Sequence, residues 1–130
     1  MNFYIASSFK NIHEVRELAR ILKLEGWNHT YDWTKNERVD SYNLLSEIGK
    51  IEKQAVVESD FFVVLLPAGK GSHIEMGIAL GLEKRVFLYS TTNSSFDFDQ
   101  TSTFYHVDGV ERFTGDLQSF AHYLIGKHHH

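Results

Sequence analysis

The residues best equipped for chemistry lie in one short run, Gly69-Lys70-Gly71-Ser72-His73-Ile74-Glu75. Glycines let backbone N–H groups turn toward an anion, and the start of a helix adds a favourable dipole, so Gly69, Gly71 and Ser72 suit a phosphate. A carboxylate beside such a loop suits attack on an electron-poor carbon, or stabilisation of a developing cation. The same spacing has a plainer use. Ser72-x-x-Glu75 is a capping box, in which the serine accepts from the third helical N–H and the glutamate folds back. The two uses differ in geometry: a capping Glu75 points at Ser72 N–H, a reacting Glu75 faces an open pocket beside Ser7 and Trp33.

Two further stretches have chemical character. Ser7-Ser8-Phe9-Lys10-Asn11 is a small, polar turn with one cation, expected between a strand and a helix. It serves either as half of a phosphate or ribose site, or simply as the N-cap of the next helix through Ser8 or Asn11. Asp32-Trp33 closes an aromatic-rich segment, where the tryptophan is either core or a platform for a base or sugar ring. Tyr105 and His106 stand near a possible strand end, but a lone histidine there is more often structural than catalytic. No histidines fall at the i, i+4 spacing of a metal site, so no metal is expected. The chain has no cysteine, which removes disulfides, thiolate catalysis and cysteine-ligated zinc.

The elements that must position these residues follow from hydrophobic periodicity. Phe3 to Ala6 reads as a first strand. Ile12 to Leu24 reads as an amphipathic helix with Ile12, Val15, Ala19 and Leu22 on one stripe, ended by Gly26. Trp27 to Trp33 reads as a second strand. Thr34 to Asp40 is a charged link, and Ser41 or Asp40 caps a helix running to Glu58 with Leu44, Ile48, Ile51 and Ala55 inward. Its Lys50, Glu52, Lys53 and Glu58 read as solvated surface charges. Phe61 to Leu66 is a continuous apolar run, as expected for a strand buried on both faces, and Pro67 ends it. A third helix is expected from Ser72, closed by Gly81 and Glu83-Lys84, then a strand from Arg85 to Tyr89. Residues 91–102 are polar, with Phe96 and Phe98 as anchors or as the apolar side of a lid. A fifth strand is expected over Thr103 to Val107, and a closing helix over Asp116 to Ile125.

This alternation predicts an α/β fold: a doubly wound parallel sheet of about five strands in the flavodoxin-like order 2-1-3-4-5. That order brings the loops after strands 1 and 3 together at the switch point, so Ser7 to Lys10 meets Gly69 to Glu75. A single domain is expected over residues 1–127, with His128 to His130 resembling the remnant of a purification tag. The formal net charge of −4 and the lack of a broad basic face argue against a nucleic-acid partner. No apolar run has membrane-spanning length, and Met1 leads directly into a strand rather than a signal peptide. A cytoplasmic protein without a membrane partner is therefore expected.

FYIASSF, and SDFFVVLLPAGKGSHIEMGIALGLEKRVFLY further on, resemble the nucleoside 2-deoxyribosyltransferase superfamily, which includes nucleotide N-glycosidases. The likeness covers most of residues 2–90 and is densest from Gly71 to Lys84. It implies a small-molecule nucleotide substrate, no cofactor, and a homo-oligomer, since members commonly form dimers or higher assemblies. The family's nucleophilic glutamate, in a small-x-x-Glu-x-Gly-x-Ala pattern, falls on Glu75. The sugar- and phosphate-gathering loop falls on Ser7, Ser8 and Lys10. One departure stands out. The transferases carry an aspartate at the end of the third strand, where this chain has Leu65-Leu66-Pro67-Ala68-Gly69, which leaves the general acid unassigned. TIR-like domains, many of which cleave NAD in bacterial immunity, are a more distant resemblance and imply NAD as an alternative substrate. A non-catalytic nucleotide-binding module is the third expectation.

Overall fold

A computed structural model describes residues 1–128. The strands are β1 (Asn2–Ser7), β2 (Asn28–His29), β3 (Phe61–Leu65), β4 (Arg85–Ser90) and β5 (Val110–Thr114), and the helices are α1 (Ile12–Leu24), α2 (Tyr42–Glu58), α3 (Lys70–Gly81) and α4 (Leu117–His128). All strands are parallel, in the order β2-β1-β3-β4-β5. This is the flavodoxin-like α/β sheet that the periodicity predicts. The central three strands are buried on both faces, which is why Tyr4, Ile5 and Phe61 to Leu65 read as unbroken apolar runs rather than alternating ones.

Register places the two candidate loops side by side. Ser7 pairs with Leu65, and Leu65 with Tyr89, so the loops after β1 and β3 leave the carboxyl edge together. Asn11 joins them: its Nδ2 donates to Ser7 Oγ at 2.9 Å and to the Pro67 carbonyl at 3.0 Å. Ser7 Oγ in turn donates to the Leu65 carbonyl at 2.7 Å. α1 packs against α4 on one face of the sheet, and α2 against α3 on the other. Gly26, at φ +82°, takes the left-handed position that stops α1.

Four expected elements differ. The second strand shrinks to Asn28–His29, because Asp32 caps a 3-10 turn over Trp33–Lys35 by accepting from Thr34 N. The third helix begins at Lys70 with Gly69 as its N-cap, so Ser72 lies inside the helix and heads no capping box. The fifth strand is Val110–Thr114, following a turn at Gly109 with φ +87°. Thr103–His106 is instead a 3-10 turn, started when the Ser102 hydroxyl accepts from Phe104 N. The last helix continues to His128, beyond the expected domain end. His128 stacks on Phe61 with centroids 4.3 Å apart, so this part of the expected tag remnant packs on the sheet. His129 and His130 lie outside the described residues.

Candidate active site

The carboxyl edge opens into a cleft of about 370 Å³ between the first loop, α2 and the start of α3. Ser7, Ser8, Phe9, Trp33, Gly69, Gly71, Ser72 and Glu75 all line it. Eight of the nine expected site residues thus meet in one place. The ninth, Lys10, lies on the exposed 3-10 turn Phe9–Asn11, outside the lining, and Lys53 of α2 is the lysine that contributes to the wall. Ser8 Oγ caps that turn by accepting from Lys10 N at 3.2 Å. Ser7 has its hydroxyl engaged on both sides by Leu65 and Asn11, which makes it a tie between loops.

Glu75 does not fold back on Ser72. It projects from α3 toward β1, where Tyr4 donates its O–H to Oε2 at 2.5 Å. Tyr4 sits at the centre of the sheet, so the carboxylate is held by a side chain with no freedom to move. Of the two geometries set by the Ser72-x-x-Glu75 spacing, the pocket-facing one is present.

Glu52 departs from the expectation of a solvated surface charge. It is half-buried, lines the cleft, and has Oε2 3.4 Å from Tyr4 Oη. Its charge also acts on the Glu75 carboxyl, since both acids face the same Tyr4 hydroxyl. The helical spacing holds one usable signal, since Glu52 lies next to the Leu44-Ile48-Ile51-Ala55 stripe and so can turn toward β1.

Burial is the chief reason that Glu75 is pushed up to about 7, with the neighbouring Glu52 charge adding to it and the Tyr4 hydrogen bond opposing it. Glu52 is raised too, first by burial, against the hydrogen bonds from Glu75 and Tyr4. Tyr4, desolvated and beside two acids, stays a neutral phenol. The pair therefore shares one proton across the weakly acidic to neutral range. Burial is deeper at Glu75, but Tyr4 has one proton to donate and gives it at 2.5 Å to Glu75, against 3.4 Å to Glu52. Against that, burial and the neighbouring Glu52 charge raise Glu75, while the hydrogen bonds at Glu52 lower it, so the shared proton rests on Glu75 and the charge on Glu52. One carboxylate and one carboxylic acid in the same cleft are the components of general acid and nucleophilic catalysis.

Trp33 is buried, and its indole N–H donates to the Ile5 carbonyl at 2.7 Å. Arg16 secures the following residue, donating to Thr34 Oγ1 and to its carbonyl. The Phe9 ring meets Trp33 edge-on with centroids 5.1 Å apart, and Phe9 itself is largely exposed. Beyond Glu52 the cleft continues into a second lobe between the same two aromatics and Arg38, Leu45 and Ile48. Residues 91–102 supply no lining residue; Phe96 packs edge-on against Tyr105 and Phe98 is fully exposed. Among the described residues, no group of three acidic, histidine or cysteine side chains is placed to hold a metal ion. No helix among them is long and apolar enough to cross a membrane.

No family model matches the sequence, and no curated protein matches it either. Solved structures do match. A CMP N-glycosidase of Clostridium botulinum, BcmB, superposes with a TM-score of 0.70 at 18% identity, over 98% of this chain and 99% of that one. A 2-deoxyribosyltransferase of Bacillus psychrosaccharolyticus gives 0.69 at 17% identity, over 93% and 90%. Over nearly its whole length, this chain shares the fold of these two enzymes.

Proposed function

We propose that this protein cleaves the N-glycosidic bond of a nucleotide, handing the sugar to water or to another acceptor. The observation that carries the reading is the Glu75–Tyr4–Glu52 cluster at the floor of the cleft. Breaking such a bond passes through an oxocarbenium-like sugar. With the shared proton passed to Glu52 once substrate is bound, Glu75, fixed by Tyr4, sits under C1′ to bond to that carbon or stabilise its charge. Glu52, protonated, gives its proton to the departing base nitrogen, which takes the bonding pair. Water then attacks C1′, loses a proton to Glu52, and Glu75 is released. No cofactor enters the scheme. The N–H groups at the start of α3, beside Gly69, Gly71 and Ser72, are assigned to the substrate phosphate, with Lys10 and Lys53 at the rim.

Glu52 bears on the choice of substrate. Nicotinamide leaves NAD without needing an acid, whereas a purine or pyrimidine generally requires one. A chain lacking any acid would favour NAD. With Glu52 beside Glu75, a nucleobase is the better served leaving group, as the activities named for the two structural neighbours also favour. The homo-oligomer implied by the resemblance would cover the exposed apolar residues of α2 and α3, among them Leu45, Ile51 and Ile74.

The test is incubation with nucleoside monophosphates, deoxynucleotides and NAD, analysed for released base. Base release from a nucleotide by the native protein, falling at least about a thousandfold in Glu75→Gln, is the expected result. Undiminished turnover by Glu75→Gln would overturn the role of Glu75.

A further inference from the structure

His73 lies on α3 two residues before Glu75, yet it does not line the cleft. Its ring is occupied on both sides. Nδ1 lies 2.7 Å from the Gly69 carbonyl and Nε2 lies 2.7 Å from Tyr105 Oη. A carbonyl only accepts, so Nδ1 carries the hydrogen; in the neutral ring Nε2 is then the acceptor, and Tyr105 donates. The relay runs in one direction, from Tyr105 O–H to His73 to Gly69 C=O. The two rings also stack, 5.8 Å apart at 19°.

Tyr105 is a firm origin for that relay. It is buried, its carbonyl accepts from Arg112 Nη1 at 2.7 Å, and Phe96 packs on its ring. The 3-10 turn Thr103–His106 is thereby anchored to β5. At the other end, the Gly69 carbonyl accepts from both His73 N, at 3.2 Å, and His73 Nδ1. In a trans peptide C=O and N–H point opposite ways. Holding the Gly69 carbonyl along the helix therefore aims the Lys70 N–H out of its N-terminus, on the side where Gly69, Gly71 and Ser72 wall the cleft. Glycine at 69 and 71 gives this wall no stiffness of its own.

We propose that His73 and Tyr105 are a positioning pair that fixes the Gly69–Ser72 wall of the cleft for the phosphate of the substrate. The pair touches neither the sugar nor the base. The long connection from β4 to β5, whose length and polarity suggest a lid, serves here as a brace from behind. The inference rests on the nucleotide reading above and adds the residues that make the phosphate contact selective.

Tyr105→Phe keeps the ring and removes the donor. It is expected to raise KM for a nucleoside 5′-monophosphate about tenfold with kcat little changed, while kcat/KM for the matching nucleoside stays the same. His73→Phe is expected to do the same, and His73→Asn, which keeps a donor near the place of Nδ1, to recover part of the loss. Equal losses on nucleotide and nucleoside, or none on either, would overturn the pair. A second arm needs no turnover. Thermal unfolding is measured against inorganic phosphate, with about tenfold more phosphate needed for the same rise in Tm in Tyr105→Phe than in the native protein. If the native protein releases base from no nucleotide but this shift is seen, the nucleotide reading fails and the positioning pair stands. A phosphate response identical in both proteins, or absent from the native one, defeats the pair whatever the activity assay gives.

Discussion

The two faces of the sheet are built to different standards. On the α1–α4 face, Val15, Leu18 and Leu22 meet Phe120, Ala121 and Leu124, all fully buried. On the α2–α3 face, α2 buries only Ala55 and Val56 of its seventeen residues, and α3 buries Ser72, Met76 and Ala79. Leu45 is 54% exposed, Ile51 48% and Ile74 66%. That second face also holds two acids in partial burial beside one phenol. Apolar packing contributes stability in proportion to area removed from water, while desolvated like charges subtract from it. One face thus holds the fold together, and the other gives up stability to keep a reactive pair and an open cleft.

Phe120→Ala should show the largest effect of that difference on stability. It empties a position under Tyr89 and Phe113, with ring centroids 4.9 and 5.4 Å away, and is expected to cost about 3–5 kcal/mol in chemical denaturation. A cost below about 1 kcal/mol would mean that the α1–α4 face is not the stabilising one.

Glu75→Gln should have a smaller effect, of opposite sign, that depends on pH. The Glu75 pKa is raised in the folded chain, so its protonation contributes stability at low pH, and that contribution is lost as pH rises from 4.5 through about 7. At pH 8 the native pair is doubly ionised and the variant is not. The variant is expected to be more stable there by on the order of 2 kcal/mol, or several degrees in Tm, with the difference vanishing near pH 4. A constant difference across that range would show that the Glu75 carboxyl is not raised in the folded state.

Much of this arrangement is legible in the sequence, and the failures share a cause. α1 and β3 are plain because their periodicity is set by a face, or two faces, that the chain itself covers. Glu75 is legible because glycine, lysine and serine stand close to it along the chain. Glu52 is not, since its partner Tyr4 lies 48 residues away and only the β1–α2 packing brings them together. The fifth strand is hidden for a similar reason: Glu111 and Arg112 break the apolar pattern of an edge strand, while Thr103 to Val107 imitates one. The capping box is legible but unused. Gly69 takes the N-cap position, so the helix is already under way at Ser72, and Glu75 is carried one turn further, to Tyr4.

The smallest effect should come from the exposed apolar residues of α2. Leu45→Ser together with Ile51→Ser is expected to change the stability of the isolated chain by about 0.5 kcal/mol or less. Sedimentation of the native and doubly substituted proteins sharpens the contrast between the faces. An assembly in the native protein that is lost on substitution would show that the open face is closed by a second copy. A large loss of stability in a monomer would show that α2 is better packed than its exposure implies.

The tryptophans stand at opposite edges of the sheet. Trp27 lies at the amino edge, edge-on to Phe61 at 5.7 Å, and Trp33 lines the cleft with its N–H tied to the backbone of β1. Light absorbed by the protein is therefore emitted from two separated places, one remote from the chemistry and one in its wall. The molecule carries its own optical probe of cleft occupancy, together with an internal reference that the occupant does not touch.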